Sequence, residues 1–156
     1  MRKPISPDLH GVIDYSSVLL TAAAPKLFGL SDRAAKTCAA LAGGYLALSA
    51  LTDYDLSVRR LVPFPVHGAI EGVEAMALPF LPRLLGFGRD RNARIFLCAL
   101  AAMGLLTAVL TDWKGNTRRL KQGETLTQAL KPERNGAPAK RTRKASRAPK
   151  LAEAMA

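Results

Sequence analysis

At 156 residues the chain has room for one domain, and it carries 23 lysines and arginines against 12 acidic residues although 49% of its residues are hydrophobic. Charge and apolar residues occupy different stretches: residues 1–114 hold 12 basic and 9 acidic groups, residues 115–156 hold 11 and 3. The sequence has no Gly-rich phosphate loop, no nucleophile with an adjacent base and no paired Cys-x-x-Cys, which argues against an enzyme of those classes.

Arg2 and Lys3, the apolar Val18-Leu19-Leu20 and the small Ala22-Ala23-Ala24 imitate a secretory signal with its cleavage site. Two points favour a retained helix instead. Pro25 would follow the cut directly, and the segment has a full counterpart later in the chain. The first helix is expected over Gly11 to Leu30. Thr37 to Thr52 follows as an uncharged run of 16 residues rich in Ala, Leu and Gly, close to the lower limit of about 17 for a membrane-spanning helix. Its Ala39, Ala40, Gly43 and Gly44 make overlapping small-x-x-x-small pairs that let another backbone approach. After the linker Asp53 to Pro65, a third helix is expected over Val66 to Phe87, and Ile95 to Thr111 is a second uncharged run, of 17 residues. Cys38 and Cys98 lie in the two uncharged runs and read as small hydrophobic side chains. The remainder, rich in Pro, Gly and basic residues with little to bury after Leu130, reads as a disordered tail.

Three landmarks recur in one order. His10-Gly11-Val12-Ile13-Asp14 returns as His67-Gly68-Ala69-Ile70-Glu71, Pro25-Lys26-Leu27-Phe28-Gly29 as Pro82-Arg83-Leu84-Leu85-Gly86, and Leu51-Thr52-Asp53-Tyr54 as Leu110-Thr111-Asp112-Trp113. The chain is therefore two tandem repeats, over residues 10–54 and 67–113, each a hairpin of two helices. The expected fold is all-α: four transmembrane helices as two tandem helical-hairpin repeats within residues 1–114, plus a basic, mostly disordered cytoplasmic tail at 115–156. A soluble four-helix bundle is the rival, disfavoured because the uncharged helices offer no polar face to water. An even number of crossings per repeat gives both the same orientation, related by an axis along the membrane normal. The N-terminus, the linker and the tail then share one face with 16 basic residues against 7 on the other, which places both termini in the cytoplasm.

A proline followed by apolar residues and then Gly-Leu or Gly-Phe, at the end of the first helix of a two-helix repeat, resembles the SPW-repeat family of small bacterial membrane proteins. The stretches are Ala24-Pro25-Lys26-Leu27-Phe28-Gly29-Leu30 and Leu81-Pro82-Arg83-Leu84-Leu85-Gly86-Phe87. The family's Ser and Trp are replaced by Ala24 or Leu81 before the proline and by Lys26 or Arg83 after it. The resemblance implies a helical membrane domain and carries no activity, cofactor or catalytic residue with it.

The residues that can carry chemistry are polar stripes. His10, Asp14 and Ser17 recur as His67, Glu71 and Glu74, each triplet on one face of a helix near the cytoplasmic end, and Asp53 and Asp112 follow the second helices on that same side. A structural reading pairs histidine with carboxylate and lets Asp53 and Asp112 cap neighbouring helices. A functional reading gives a divalent metal His10, His67 and two of Asp14, Glu71 and Glu74, or uses the same groups to bind a proton or small cation. In the tail, Lys140, Arg141, Arg143, Lys144, Arg147 and Lys150 are expected to contact anionic lipid headgroups, and the lack of aromatic residues there speaks against specific nucleic-acid binding. The expectation is a small integral membrane protein with a structural or interaction role, without enzymatic activity and without a cofactor; the alternative is an intramembrane metal or proton site.

Overall fold

The computed structural model describes residues 3–115, and the tail with its six basic lipid-contact candidates lies outside the described residues. All elements among the described residues are helical: α1 (Pro7–Phe28), α2 (Asp32–Leu51), α3 (Phe64–Ala77), a 3-10 turn (Leu78–Phe80), α4 (Leu81–Leu84) and α5 (Arg91–Leu110). α1 packs along α2 and α3 along α5, and the two hairpins join through α1 and α5. The duplication is kept to within one residue. An offset of 57 carries α1 onto the span from α3 to the end of α4, and an offset of 59 carries α2 onto α5.

The helices begin earlier than the apolar runs do, because their first turns are polar. Ser6 caps α1 by accepting from the Leu9 amide, with Pro7 at the first helical position, and α2 and α5 open on Asp32 and Arg91. The third helical segment differs from the single helix expected over Val66 to Phe87: it passes through a 3-10 turn. Pro79 explains the break, since it stands where the first repeat has Ala22, and its ring removes one backbone donor and crowds the preceding turn. Pro25, shared by both repeats as Pro82, leaves α1 continuous. The glycines that follow close each first helix in the left-handed conformation, Gly29 at φ 60° and Gly86 at φ 76°.

At this far end the bundle is apolar inside. Ala24, Ala34, Cys38, Leu78, Phe87, Phe96, Leu97 and Leu100 form the main core, and Cys38 and Cys98 are both free thiols. The face that carries Gly43 and Gly44 is exposed, with no atom of the described chain near the place a Cβ would occupy, so the small-residue stripe is not a seam between helices of this chain. Two helices, α2 and α5, are long and apolar enough to cross a membrane.

One carboxylate ties the two repeats together here. Asp90 accepts from the Ala93 amide at 2.9 Å, capping α5, and from the Ser31 amide at 2.7 Å, at the start of α2. Its modest desolvation opposes ionisation, yet the backbone donors of Ala93 and Ser31 prevail and hold its pKa below the ordinary 3.8. A depressed folded-state pKa means the stabilisation is present above the unfolded value and is lost as pH falls through the folded one. Asp90→Ala is expected to lower stability by about 1 kcal/mol, the usual worth of a helix cap. Asp90→Asn, which keeps a capping oxygen, is expected to flatten the acid limb of the stability profile below pH 3.8, measured by thermal melting in detergent.

Candidate functional site

The other end of the bundle is polar inside. Just before each first helix, a short extended segment pairs with the end of the opposite repeat's second helix: Ile5 bridges Thr111, and Val62 bridges Thr52. The Asp112 amide donates to Ile5 O at 2.8 Å and the Asp53 amide to Val62 O at 2.8 Å. Five residues after each bridged position stands a histidine, and the bridged threonine holds it. Thr111 Oγ1 lies 2.8 Å from His10 Nδ1, and Thr52 Oγ1 lies 2.8 Å from His67 Nδ1.

Those threonines orient the rings. Each hydroxyl has one hydrogen and donates it within its own helix, Thr111 to Thr107 O at 2.7 Å and Thr52 to Leu48 O at 2.6 Å. Towards its histidine each oxygen can only accept, so Nδ1 carries the proton in both rings. The two Nε2 atoms face each other 3.4 Å apart, and in the neutral form of each ring Nε2 is the lone-pair nitrogen.

Two carboxylates complete the group. His10 Nε2 is 3.4 Å from Asp14 Oδ1 and 3.2 Å from Glu71 Oε2, and His67 Nε2 is 3.3 Å from Asp14 Oδ2. All four side chains are between 0% and 5% exposed. The repeats diverge in how they treat these acids. Asp14 Oδ2 accepts from Ser49 Oγ at 3.4 Å and from the Tyr54 hydroxyl at 3.3 Å, and burial of Tyr54 keeps that hydroxyl protonated well above its usual range. In the second repeat Ala108 and Trp113 stand in those two places and offer Glu71 no donor. Glu71 Oε2 is buried without a hydrogen-bond partner.

Aromatic rings close the cluster. The Phe64 and Trp113 rings lie 5.3 and 4.9 Å from the His10 ring and 4.8 Å from each other. Tyr54 sits against Gly11 and Trp113 against Gly68, so the glycine after each histidine is the seat of the aromatic that ends the same repeat: a Cβ on Gly11 would meet the Tyr54 ring at 2.9 Å, and one on Gly68 the Trp113 ring at 2.5 Å.

Of the residues singled out from sequence, His10, Asp14, His67 and Glu71 come together. Glu74 does not join them. It stands a further turn along the helix, about 10 Å of axial rise from His67, and lines a groove with Lys36, Thr37 and Ile70. Ser17 turns back to the Ile13 carbonyl at 2.8 Å. Asp53 is 3.7 Å from the Arg60 guanidinium, and Asp112 accepts from the Lys114 amide at 3.3 Å, so neither belongs to the cluster. Sequence reasoning passed over Thr52, Thr111, Ser49 and Phe64 as site residues. The threonines had a signal, the duplicated Leu-Thr-Asp-aromatic phrase; Ser49 and Phe64 had none.

No protein-family model, curated protein or solved structure matches the chain.

The two glycines of the duplicated phrase give a direct test of this packing. Gly68→Ala is expected to cost about 1–3 kcal/mol by overpacking against Trp113. Gly72→Ala, where an added Cβ meets nothing within 4 Å, is expected to be neutral or stabilising. Equilibrium unfolding followed by circular dichroism distinguishes the two.

Proposed function

We propose that this is a multi-pass membrane protein of the bacterial inner membrane, with four spanning segments as two parallel hairpins, both termini in the cytoplasm, and a structural or interaction role rather than an enzymatic one. The carrying observation is an inverted distribution of polarity. The outer surface presents Leu19 at 72%, Leu27 at 64%, Val73 at 64%, Leu84 at 75% and Val109 at 66% exposure, whereas His10, Asp14, Thr21, Ser49, Thr52, His67, Glu71 and Thr111 are buried. Water rewards the opposite arrangement, and a bilayer rewards this one.

The inversion supports spanning roles for the first and third segments as well. Asp14 and Glu71, which interrupt these segments, turn inward on the two histidines and leave apolar side chains outside. The clustering of basic residues on the side of both termini supports the orientation. The Pro-x-Leu-(Phe/Leu)-Gly helix ends support kinship with SPW-repeat proteins. Burial of all four cluster side chains speaks for binding something small rather than turning over an organic substrate.

Carbonate washing of membranes is expected to leave the full-length chain in the pellet, with a phosphatase fused at Gly88 active and one fused after Ala156 inactive. Release into the supernatant would return the soluble bundle. For the tail, a peptide of residues 131–156 is expected to bind vesicles containing anionic lipid, at about 1 kcal/mol per basic group near the surface, and to dissociate at high salt. Equal binding to neutral vesicles would remove the headgroup contact.

A further inference from the structure

We propose that His10, His67, Asp14 and Glu71 bind one divalent transition-metal ion of the zinc class, held between the two repeats. The proposal depends on the cluster geometry and not on how the bundle sits in a membrane.

Three features of the cluster converge on an ion. The first is direction. With each Nδ1 turned to its threonine, the two Nε2 atoms point at each other and at carboxylate oxygens. With the rings neutral and the carboxyls ionised, these four groups facing one centre repel unless an electrophile stands between them. A proton lies on the line between two atoms and relieves one such contact. A metal ion at the centre relieves all of them at once.

The second is distance. A tetrahedral ion with bonds of about 2.0–2.1 Å to histidine nitrogen and carboxylate oxygen has ligand-to-ligand edges of about 3.3–3.4 Å. From His10 Nε2 the other three residues lie at such edges, His67 Nε2 at 3.4 Å, Asp14 Oδ1 at 3.4 Å and Glu71 Oε2 at 3.2 Å, while His67 Nε2 is 3.3 Å from the second Asp14 oxygen. One ligand atom from each residue can be chosen with all of them within 4.8 Å of one another.

The third is charge and satisfaction. Asp14 and Glu71 are buried, would carry two negative charges when ionised, and among the described residues neither is paired with a lysine or arginine. A dication with two neutral imidazoles balances them. Glu71 Oε2, buried without a hydrogen-bond donor and with only the His10 ring nitrogen beside it at 3.2 Å, is aimed into the cluster.

The donor set also selects the ion. Two imidazoles and two carboxylates suit a borderline dication such as Zn2+ or Co2+; the set lacks the thiolates that favour Cu(I) and the full oxygen shell that Ca2+ and Mg2+ require. The surroundings match a metal site's outer layer. Thr52 and Thr111 orient both imidazoles, Ser49 and Tyr54 orient Asp14, and Phe64 and Trp113 shut out water.

The test uses the full chain in detergent, purified on a tag without histidine, stripped with chelator and dialysed against Zn2+ or Co2+. The expected result is one ion per chain by elemental analysis and the visible ligand-field spectrum of tetrahedral Co2+. His67→Gln and Glu71→Gln are each expected to weaken Zn2+ binding more than 10-fold, and Asp53→Asn to leave it unchanged. If a ligand variant fails to give monodisperse helical protein, Thr111→Val keeps all four ligands and is expected to cost about 10–100-fold in affinity by freeing the His10 ring. Wild-type chain that takes up neither ion overturns the proposal, and so does one-to-one binding that survives the ligand variants or Thr111→Val.

Discussion

The structure depends on one crossed interaction: the threonine that ends the second helix of each repeat holds the histidine that begins the first helix of the other. Thr111 reaches His10 and Thr52 reaches His67, each at 2.8 Å. The backbone bridges from Ile5 to Thr111 and from Val62 to Thr52 set the same helix ends against the same helix starts. Because the connection runs between repeats, neither hairpin can complete its polar end alone. The far end follows the same plan: Asn92 donates to Phe28 O at 2.8 Å and Arg33 to Gly86 O at 3.2 Å, each from a second helix into the other repeat.

Such an arrangement places the costly groups where they support one another. An unpartnered carboxylate in an apolar environment is strongly unfavourable, and two of them close together are more so. The duplicated bundle gathers them with the histidines in one closed volume and leaves apolar side chains outside. Symmetry supplies the two imidazoles, and divergence sets the acids apart. Tyr54 and Ser49 hold Asp14, while Trp113 and Ala108 leave Glu71 without donors. The second repeat exchanges hydrogen bonding for ring packing, and in doing so leaves one carboxylate oxygen open to an electrophile.

Much of the fold can be read in the sequence, since local chemistry makes it. The uncharged stretches from Thr37 and from Ile95 become α2 and α5, and Gly29 and Gly86 end their helices because those positions need positive φ. The offset repeat fixes two equivalent hairpins. The bend in the third segment has its cause in Pro79, which is visible in the sequence; that Leu78 beside it is buried in the core is not. The histidines and carboxylates stand out as polar residues in apolar helices; nothing local separates Glu71, which faces the cluster, from Glu74 one turn on, which lines a groove.

By itself, then, the sequence determined the helices, their ends, the duplication and the residues with chemistry to offer, because each follows from composition and spacing within a single element. Only the tertiary structure decided which of those residues meet. His10 and His67 are 57 positions apart, and the threonines that hold their rings lie 101 and 15 positions away from them. Whether two imidazole lone pairs face one another depends on how one hairpin rotates against the other. That rotation is fixed by hydrogen bonds between repeats, which no pattern within a repeat can specify.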